Sequence, residues 1–253
     1  CIESSKIGII GAGEGSTGSL TNIVQNEMFD FGCNEQDFIK ECDATIKLGI
    51  KHIGWNEDPS KFYIGPIDGT PTSDDRCDIV FQHALGYREQ DYLHLATELG
   101  YKIHHNKNSF VQVNGNHAYH FDAHKVGQYF KKISDTVTHI DSEVEQVQLN
   151  SESGYVDGVK LSNGDTVKGD MFIDASGFNQ VLMKAVGGKW KSYRDNLPVN
   201  GALPFLLPYE DDEVIQPVTN AWAQNNGWCW QIPTKNRRGC GYVFCDSFVT
   251  PDQ

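Results

Sequence analysis

Three stretches of this sequence concentrate residue types that can do chemistry. The first is Lys6–Leu20, KIGIIGAGEGSTGSL, with five glycines in fifteen residues and a single acid, Glu14. A glycine segment lets backbone N–H groups come close to a phosphate or a flat ring. Gly11, Ala12, Gly13, Glu14 and Ser16 are therefore candidate ligand contacts, with a glycine-rich turn as the plain alternative. Gly11-Ala12-Gly13 continues as Glu14-Gly15-Ser16, so the GxGxxG fingerprint of dinucleotide sites is absent. Glu3 stands at the end of a strand-like start. A dinucleotide-binding unit places there the carboxylate that accepts ribose hydroxyls. On this reading the first strand and phosphate loop would precede Cys1, which is not a methionine.

The second stretch is FIDASGF, residues 172–178. A buried strand over Met171–Ala175 would open at Asp174, Ser176 and Gly177 into a turn whose N–H groups can face a ligand. An ordinary strand exit is the alternative. The third is GWCWQIP, residues 227–233. Trp228 and Trp230, two apart on a strand, share a face and can form a rigid wall or simply fill a core. Lys47 lies in TIKLGIKHIGWN, residues 45–56, whose alternation reads as one strand. By that pattern alone Lys47 and Lys51 are solvent-facing lysines. Nine histidines include His117, His120 and His124, but without HExxH or a Cys/His pairing no metal site is expected. Asp74–Asp75 and Glu210–Glu213 read as solvated acidic surface.

The elements that must position these residues follow from periodicity. Lys6–Ile10 reads as a short strand, Leu20–Phe31 as a helix stopped by Gly32, and Asn34 as the cap of a helix running through Ala44. Residues 57–75 read as a loop, 86–101 and 121–133 as helices, and 136–141 as a strand. Three strands then form a meander with an Asn-Gly turn at 163–164, and 217–250 is rich in strand formers. Alternating strands and helices with a meander give an α/β fold with an added sheet. The chain has 253 residues, enough for a real core. A net charge of −13 argues against nucleic acid or an anionic membrane as partner. No apolar run approaches the ~20 residues of a membrane helix, and no secretory signal is visible. Seven scattered cysteines without CxxC suggest reduced thiols in a cytoplasmic protein.

Taken together, IGIIGAGEGSTGSL, DFIKECDATIKLGIKHIGW, YHFDAHKVGQYF, FIDASGFNQVL and GWCWQIP occur in an order that resembles the flavin-dependent halogenases of the tryptophan-halogenase type. The WxWxIP element (Trp228, Trp230, Ile232, Pro233) is the most specific of these. The resemblance implies a flavin monooxygenase-like, Rossmann-type α/β fold that binds FAD. It implies one halogenase-like domain over 1–253, incomplete at both ends, with 45–120 and 190–253 mainly substrate-facing. A separate flavin reductase would supply FADH2. Reduced flavin, O2 and halide would make hypohalous acid, which travels down a tunnel to a small electron-rich aromatic substrate. Gly11–Ser16 would match the family's flavin strap, with Glu3, Asp174, Ser176 and Gly177 as further FAD contacts. The essential lysine of the ATxK stretch would be Lys47, and Trp228 and Trp230 would keep substrate from the flavin. His83 would match a histidine of the substrate wall. The Ala84 and Leu85 that follow it, in place of aromatics, imply a pocket other than the tryptophan-specific one. The family's catalytic glutamate and halide site would lie beyond residue 253. A flavin hydroxylase of the same fold, and a non-catalytic flavin-fold binding protein, are the competing readings. Whether the protein forms a homo-oligomer is left open.

Overall fold

The structure, a computed structural model, describes residues 1–9, 11, 14–25, 30–55, 58, 62–65, 117–211, 213 and 215–250. In chain order these form β1 (Ile2–Glu3), β2 (Glu14–Gly15), α1 (Gly18–Val24), α2 (Glu35–Glu41), β3 (Thr45–Lys47), β4 (Gly49–Ile53), β5 (Phe62–Gly65) and β6 (Ala118–Phe121). There follow α3 (Ala123–Ile133), β7 (Ile140–Asp141), β8 (Val144–Leu149), β9 (Val156–Leu161), β10 (Thr166–Lys168), α4 (Val181–Ala185), β11 (Gly201–Leu207), β12 (Val218–Gln224), β13 (Gly227–Pro233) and β14 (Arg238–Phe244). The chain divides into two compact units: Cys1–Gly8 with Asp135–Tyr193, and Ile9–Ser134 with Arg194–Gln253. Among the described residues no helix is long and apolar enough to cross a membrane.

In the first unit β1 pairs in parallel with β7, Ile2 opposite Ile140 and Glu3 opposite Asp141. The ladder stops there because the Ser5 N–H donates to the Asp141 carboxylate and Ile7 N–H turns back to the Ser4 carbonyl. Lys6–Ile9 is consequently not the strand its sequence suggests, and Ile7 and Ile9 are exposed. The strand expected over 136–141 shrinks to the two residues that find a partner. β8, β9 and β10 make a three-stranded antiparallel sheet that buries Val159 and Leu161. The Asn163–Gly164 turn closes β9 onto β10, with Gly164 at φ +94°, which glycine adopts without a Cβ clash. Met171–Ala175 is not the buried strand its apolar residues predict. It pairs with no strand among the described residues, and Met171 and Ile173 are 82% and 84% exposed. Alternation creates an apolar face, but only a neighbouring strand supplies the hydrogen-bond ladder.

The second unit holds a six-stranded sheet in the order β11-β14-β13-β12-β4-β5, antiparallel except for the parallel β12–β4 pair. It also holds a three-stranded sheet, β2-β6-β3. β5 pairs with β4 inside a stretch read as loop; the remaining residues of 57–75 other than Asp58, and the helix expected over 86–101, lie outside the described residues. Helix α1 begins two residues earlier than expected and closes at Gln25, whose N–H returns to the Thr21 carbonyl. Asn34 caps α2 as predicted, accepting from the Asp37 N–H at 3.1 Å. That helix ends at Glu41 instead of reaching Ala44, because Asp43 takes φ +49° and turns the chain into β3. The Asp43 carboxylate is held there by Lys125 and Asn236.

Phe38 is fully buried and centres the core of this unit, with Tyr119, Tyr129, Phe121 and Phe130 ring centroids 5.2, 5.6, 6.3 and 6.4 Å away. Below it Glu35 gathers His117, Tyr119 and Gln25. Burial raises the Glu35 pKa, but these hydrogen bonds outweigh it and hold the carboxylate below its ordinary value. Burial pushes the Cys42 thiol up to about 12, and the Glu41, Asp122 and Asp43 carboxylates add to it. The six described cysteines are free thiols.

Candidate functional site

The stretch read as one amphipathic strand is two strands in two sheets. At Leu48 the N–H leaves the ladder for the Pro217 carbonyl at 2.7 Å, so β3 pairs with β6 and β4 pairs with β12. Thr45 through Gly49 is buried on both faces, and Lys47 is only 7% exposed. A solvent-facing lysine is thereby ruled out. An ammonium in such a place needs acceptors, and Lys47 Nζ donates to the Ser16 carbonyl at 3.1 Å.

Alternation in the small sheet sorts its side chains. Ile46 lies opposite Tyr119, and both join the Phe38 core. The other face therefore carries Thr45 opposite His120, Lys47 opposite Ala118, and Gly15 opposite His120. The glycine segment is fixed at this end by a reciprocal pair: Ser16 N–H donates to the Tyr119 carbonyl at 2.8 Å, and Tyr119 N–H donates to Ser16 Oγ at 3.0 Å. Glu14 is also committed, since its carboxylate accepts the Ala123 N–H at 3.1 Å at the first turn of α3. Gly11 lies beside Glu14 and His124. Ala12, Gly13 and His83 lie outside the described residues.

His120, fully buried, links this sheet to the larger one. Thr45 Oγ1 donates to the Pro233 carbonyl at 2.6 Å, so its proton is used. Thr45 Oγ1 then accepts from His120 Nδ1–H at 3.3 Å, and in a neutral ring Nε2 accepts from the Thr219 hydroxyl at 2.9 Å. Pro233 ends β13, the strand that carries the two indoles. Trp228 and Trp230 share one face as expected, 6.2 Å apart, and Trp55 joins them 6.5 Å from Trp228. Neighbouring strands leave room for them: Trp228 faces Ala223, and Trp230 faces Ala221 on one side and Gly241 on the other. A Cβ on Gly241 would fall 2.1 Å from the Trp230 ring. His117 and His120 face different partners, Glu35 and the two threonines, and no group of three metal-ligating side chains occurs among the described residues.

The remaining candidates belong to the first unit. Glu3 ends β1, is 61% exposed, and pairs with His139 at 2.7 Å. Asp174 does not leave helix N–H groups open to a ligand. Its carboxylate accepts the Ser176 hydroxyl and the Leu182 and Met183 N–H groups, while Ser176 Oγ takes the Val181 N–H. These bonds, led by the Ser176 hydroxyl, lower the Asp174 pKa to about 2. Gly177, at φ +60°, makes the turn. Sequence reasoning weighed His120 only as a metal ligand and missed the parts of Thr45, Ala118 and Thr219, because two threonines and an alanine carry no pattern of their own. The pairing of β6 with β2 and β3 sets Ala118 opposite Lys47 and His120 opposite Thr45 and Gly15, while Thr219 reaches His120 from β12.

The family model for tryptophan halogenases matches residues 1–253. Among curated proteins the chain is similar to the tryptophan 7-halogenase RebH of Lentzea aerocolonigenes, 30% identical over all of this chain and 51% of that protein. It is similar too to the 7-chloro-L-tryptophan 6-halogenase KtzR of Kutzneria sp. (strain 744), 29% identical over all of this chain and 54% of the other. Among solved structures, a tryptophan C-6 flavin-dependent halogenase from taromycin biosynthesis superposes with TM-score 0.81 at 28% identity, covering all of this chain and 52% of that one. A tryptophan halogenase from Shewanella frigidimarina gives 0.80 at 28% identity, covering 99% and 49%. The chain thus spans about half the length of the relatives it matches, and the α/β fold is that of flavin-dependent halogenases. With the buried lysine, the glycine segment and the paired indoles all inside the matched range, the chain belongs to the tryptophan halogenase family.

Proposed function

We propose that the protein containing this chain is an FAD-dependent halogenase, in which Lys47 directs an oxidised halogen to one carbon of an electron-rich aromatic ring. The observation that carries the reading is the buried Lys47 ammonium on the carbonyl of Ser16, at the end of the glycine segment. Bound reduced FAD, with O2 and halide, supplies hypohalous acid. That oxidant is unselective in water, and the residues of this chain make it selective. A lysine ammonium donates strongly where little water screens it, and its nitrogen can carry halogen as a haloamine. Arginine would not replace it, because the guanidinium does not readily lose a proton. The bond to Ser16 uses one of the three N–H donors of the amine and fixes its direction. The three indoles at Trp55, Trp228 and Trp230 form a wall that excludes an organic ring and admits a halide.

Glu3, exposed at the end of a strand, fits the carboxylate that accepts the FAD ribose hydroxyls. Asp174 and Ser176 bond each other and α4, and Gly177 turns the chain at φ +60°, so the three would contribute a rigid turn rather than direct polar contacts. Gly11–Ser16 serves as the strap along the flavin. This reading treats residues 1–253 as part of one Rossmann-type, FAD-binding halogenase domain, with 45–120 and 190–253 mainly facing substrate. It calls for a separate flavin reductase and places the enzyme in the cytoplasm. Ala84 and Leu85 after His83 favour an aromatic substrate other than free tryptophan.

The test is to incubate the full-length protein with FAD, a reductase and chloride, bromide or iodide over indoles, phenols and pyrroles, and to read products by mass spectrometry. Halogenated product is expected. Lys47→Ala should abolish it, a loss of about a hundred-fold or more, while flavin oxidation continues. Hydroxylated product without halide dependence would make the protein a hydroxylase. Failure to bind flavin would remove the enzymatic reading altogether.

A further inference from the structure

The β2-β6-β3 sheet poses a steric problem. Lys47 sits on β3, and the carbonyl it reaches belongs to Ser16, just past β2, with β6 lying between. The side chain must therefore cross β6. The residue it crosses is Ala118, paired directly with Lys47, on the same face and fully buried. Any larger side chain there would stand in the path of the lysine stem. At the far end lies Gly15. A Cβ on Gly15 would sit 3.3 Å from Lys47 Nζ and 3.4 Å from His120 Cδ2, tighter than ordinary contact with the first. No positive φ is recorded for Gly15, so what it contributes is space, not backbone freedom. His120 lies opposite both Gly15 and Thr45 and borders the passage beside the amine.

We propose that Gly15 and Ala118 are positioning residues for Lys47, forming a lane across β6 that seats its ammonium on the strap backbone. The effect on catalysis rests on the role proposed above for Lys47; the lane itself does not. Ser16 is locked to Tyr119 through both its N–H and its hydroxyl. The amine is thereby referenced to the strap and to β6 at once. A methyl at Gly15 asks Nζ to give by only a few tenths of an ångström, whereas a branched side chain at Gly15 or Ala118 closes the lane and moves the lysine off the Ser16 carbonyl without removing the amine.

The test has a readout independent of turnover. Flavin-free, full-length protein is pulsed with acetic anhydride, and acylation of Lys47 is measured by peptide mass spectrometry against Lys132, which is exposed. Lys47 should label slowly in the parent protein. Gly15→Val and Ala118→Val should each raise its relative labelling about ten-fold, by exposing the displaced amine. Ala118→Ser, which keeps the lane open, and Gly127→Ala, where a Cβ meets nothing, should leave it unchanged. If Ala118→Val does not fold, Gly15→Val carries the test alone. Unchanged Lys47 labelling in Gly15→Val overturns the lane. In single-turnover assays Gly15→Val should cut halogenated product per flavin oxidised about ten-fold, with flavin oxidation rates within about two-fold of the parent. A shift in labelling without a fall in yield would leave the lane standing and remove the proposed role of Lys47. A merely unfolded fraction would lower product and bound-flavin oxidation together, and would not change their ratio.

Discussion

Residues 171–190 are more apolar than residues 35–47, yet it is the second stretch that is buried. Phe38, Cys42, Ala44 and Ile46 lie in the core, and even Thr45 and Lys47 between them are closed off from solvent. In 171–190, Met171, Ile173, Phe178 and Trp190 are 70% to 84% exposed. Hydrophobicity makes burial favourable; a partner surface makes it happen. Residues 35–47 have one on each side, with Tyr119, Tyr129 and Phe130 against the helix and β6 and Pro233 against the strand. The polar groups differ in the same way. Glu35 sits within a core and collects donors from three residues at β6 and the end of α1, whereas Asp174 organises only its own turn and α4.

Substitutions at the two ends of this contrast should separate widely. Phe38→Ala should cost about 3–5 kcal/mol in denaturant unfolding, since it empties a fully enclosed aromatic site. A cost below about 1 kcal/mol would mean that the cluster is loose and the contrast overstated. Asp174→Ala should cost about 1 kcal/mol by loss of the bonds to α4. Its pH dependence follows from sign. The carboxyl pKa is depressed to about 2 in the folded chain, so its contribution is complete above the ordinary carboxylate pKa of about 4 and is lost as pH falls toward 2. Acid titration of parent and variant should therefore converge below about pH 2 and run parallel above about pH 5. Ile173→Ser should change stability least, within about 0.5 kcal/mol. A loss above about 2 kcal/mol in the full-length protein would show that this side chain is enclosed there, and would sharpen the comparison to the present residues alone.

Much of the local structure was legible in the chain. Asn34 announces α2 and Asn163-Gly164 announces a hairpin, because each acts through bonds or dihedrals within a few residues. Helix α3 follows its apolar spacing, with Asp122 as its cap. The strand errors share one cause, which is pairing. Lys6–Ile9 and Met171–Ala175 have the composition of strands but no ladder to join. Residues 45–53 alternate like one strand and are divided between two sheets by a single backbone bond at Leu48. Asp43, at a left-handed φ, ends α2 where the pattern would continue it.

The sequence by itself determined which residue types are available: a glycine segment, a lysine in the Asp37–Trp55 stretch, and two indoles two residues apart. Those are covalent facts, and short-range spacing preserves them in any fold. Tertiary structure alone decided that Lys47 is buried, that its amine reaches Ser16 across Ala118, and that Thr45 ties the lysine strand to the indole strand while His120 ties it to β12. Each depends on a hydrogen-bond register between strands 31 to 188 residues apart in the chain. A register of that kind is chosen by the packing of the whole sheet and is written in no single segment.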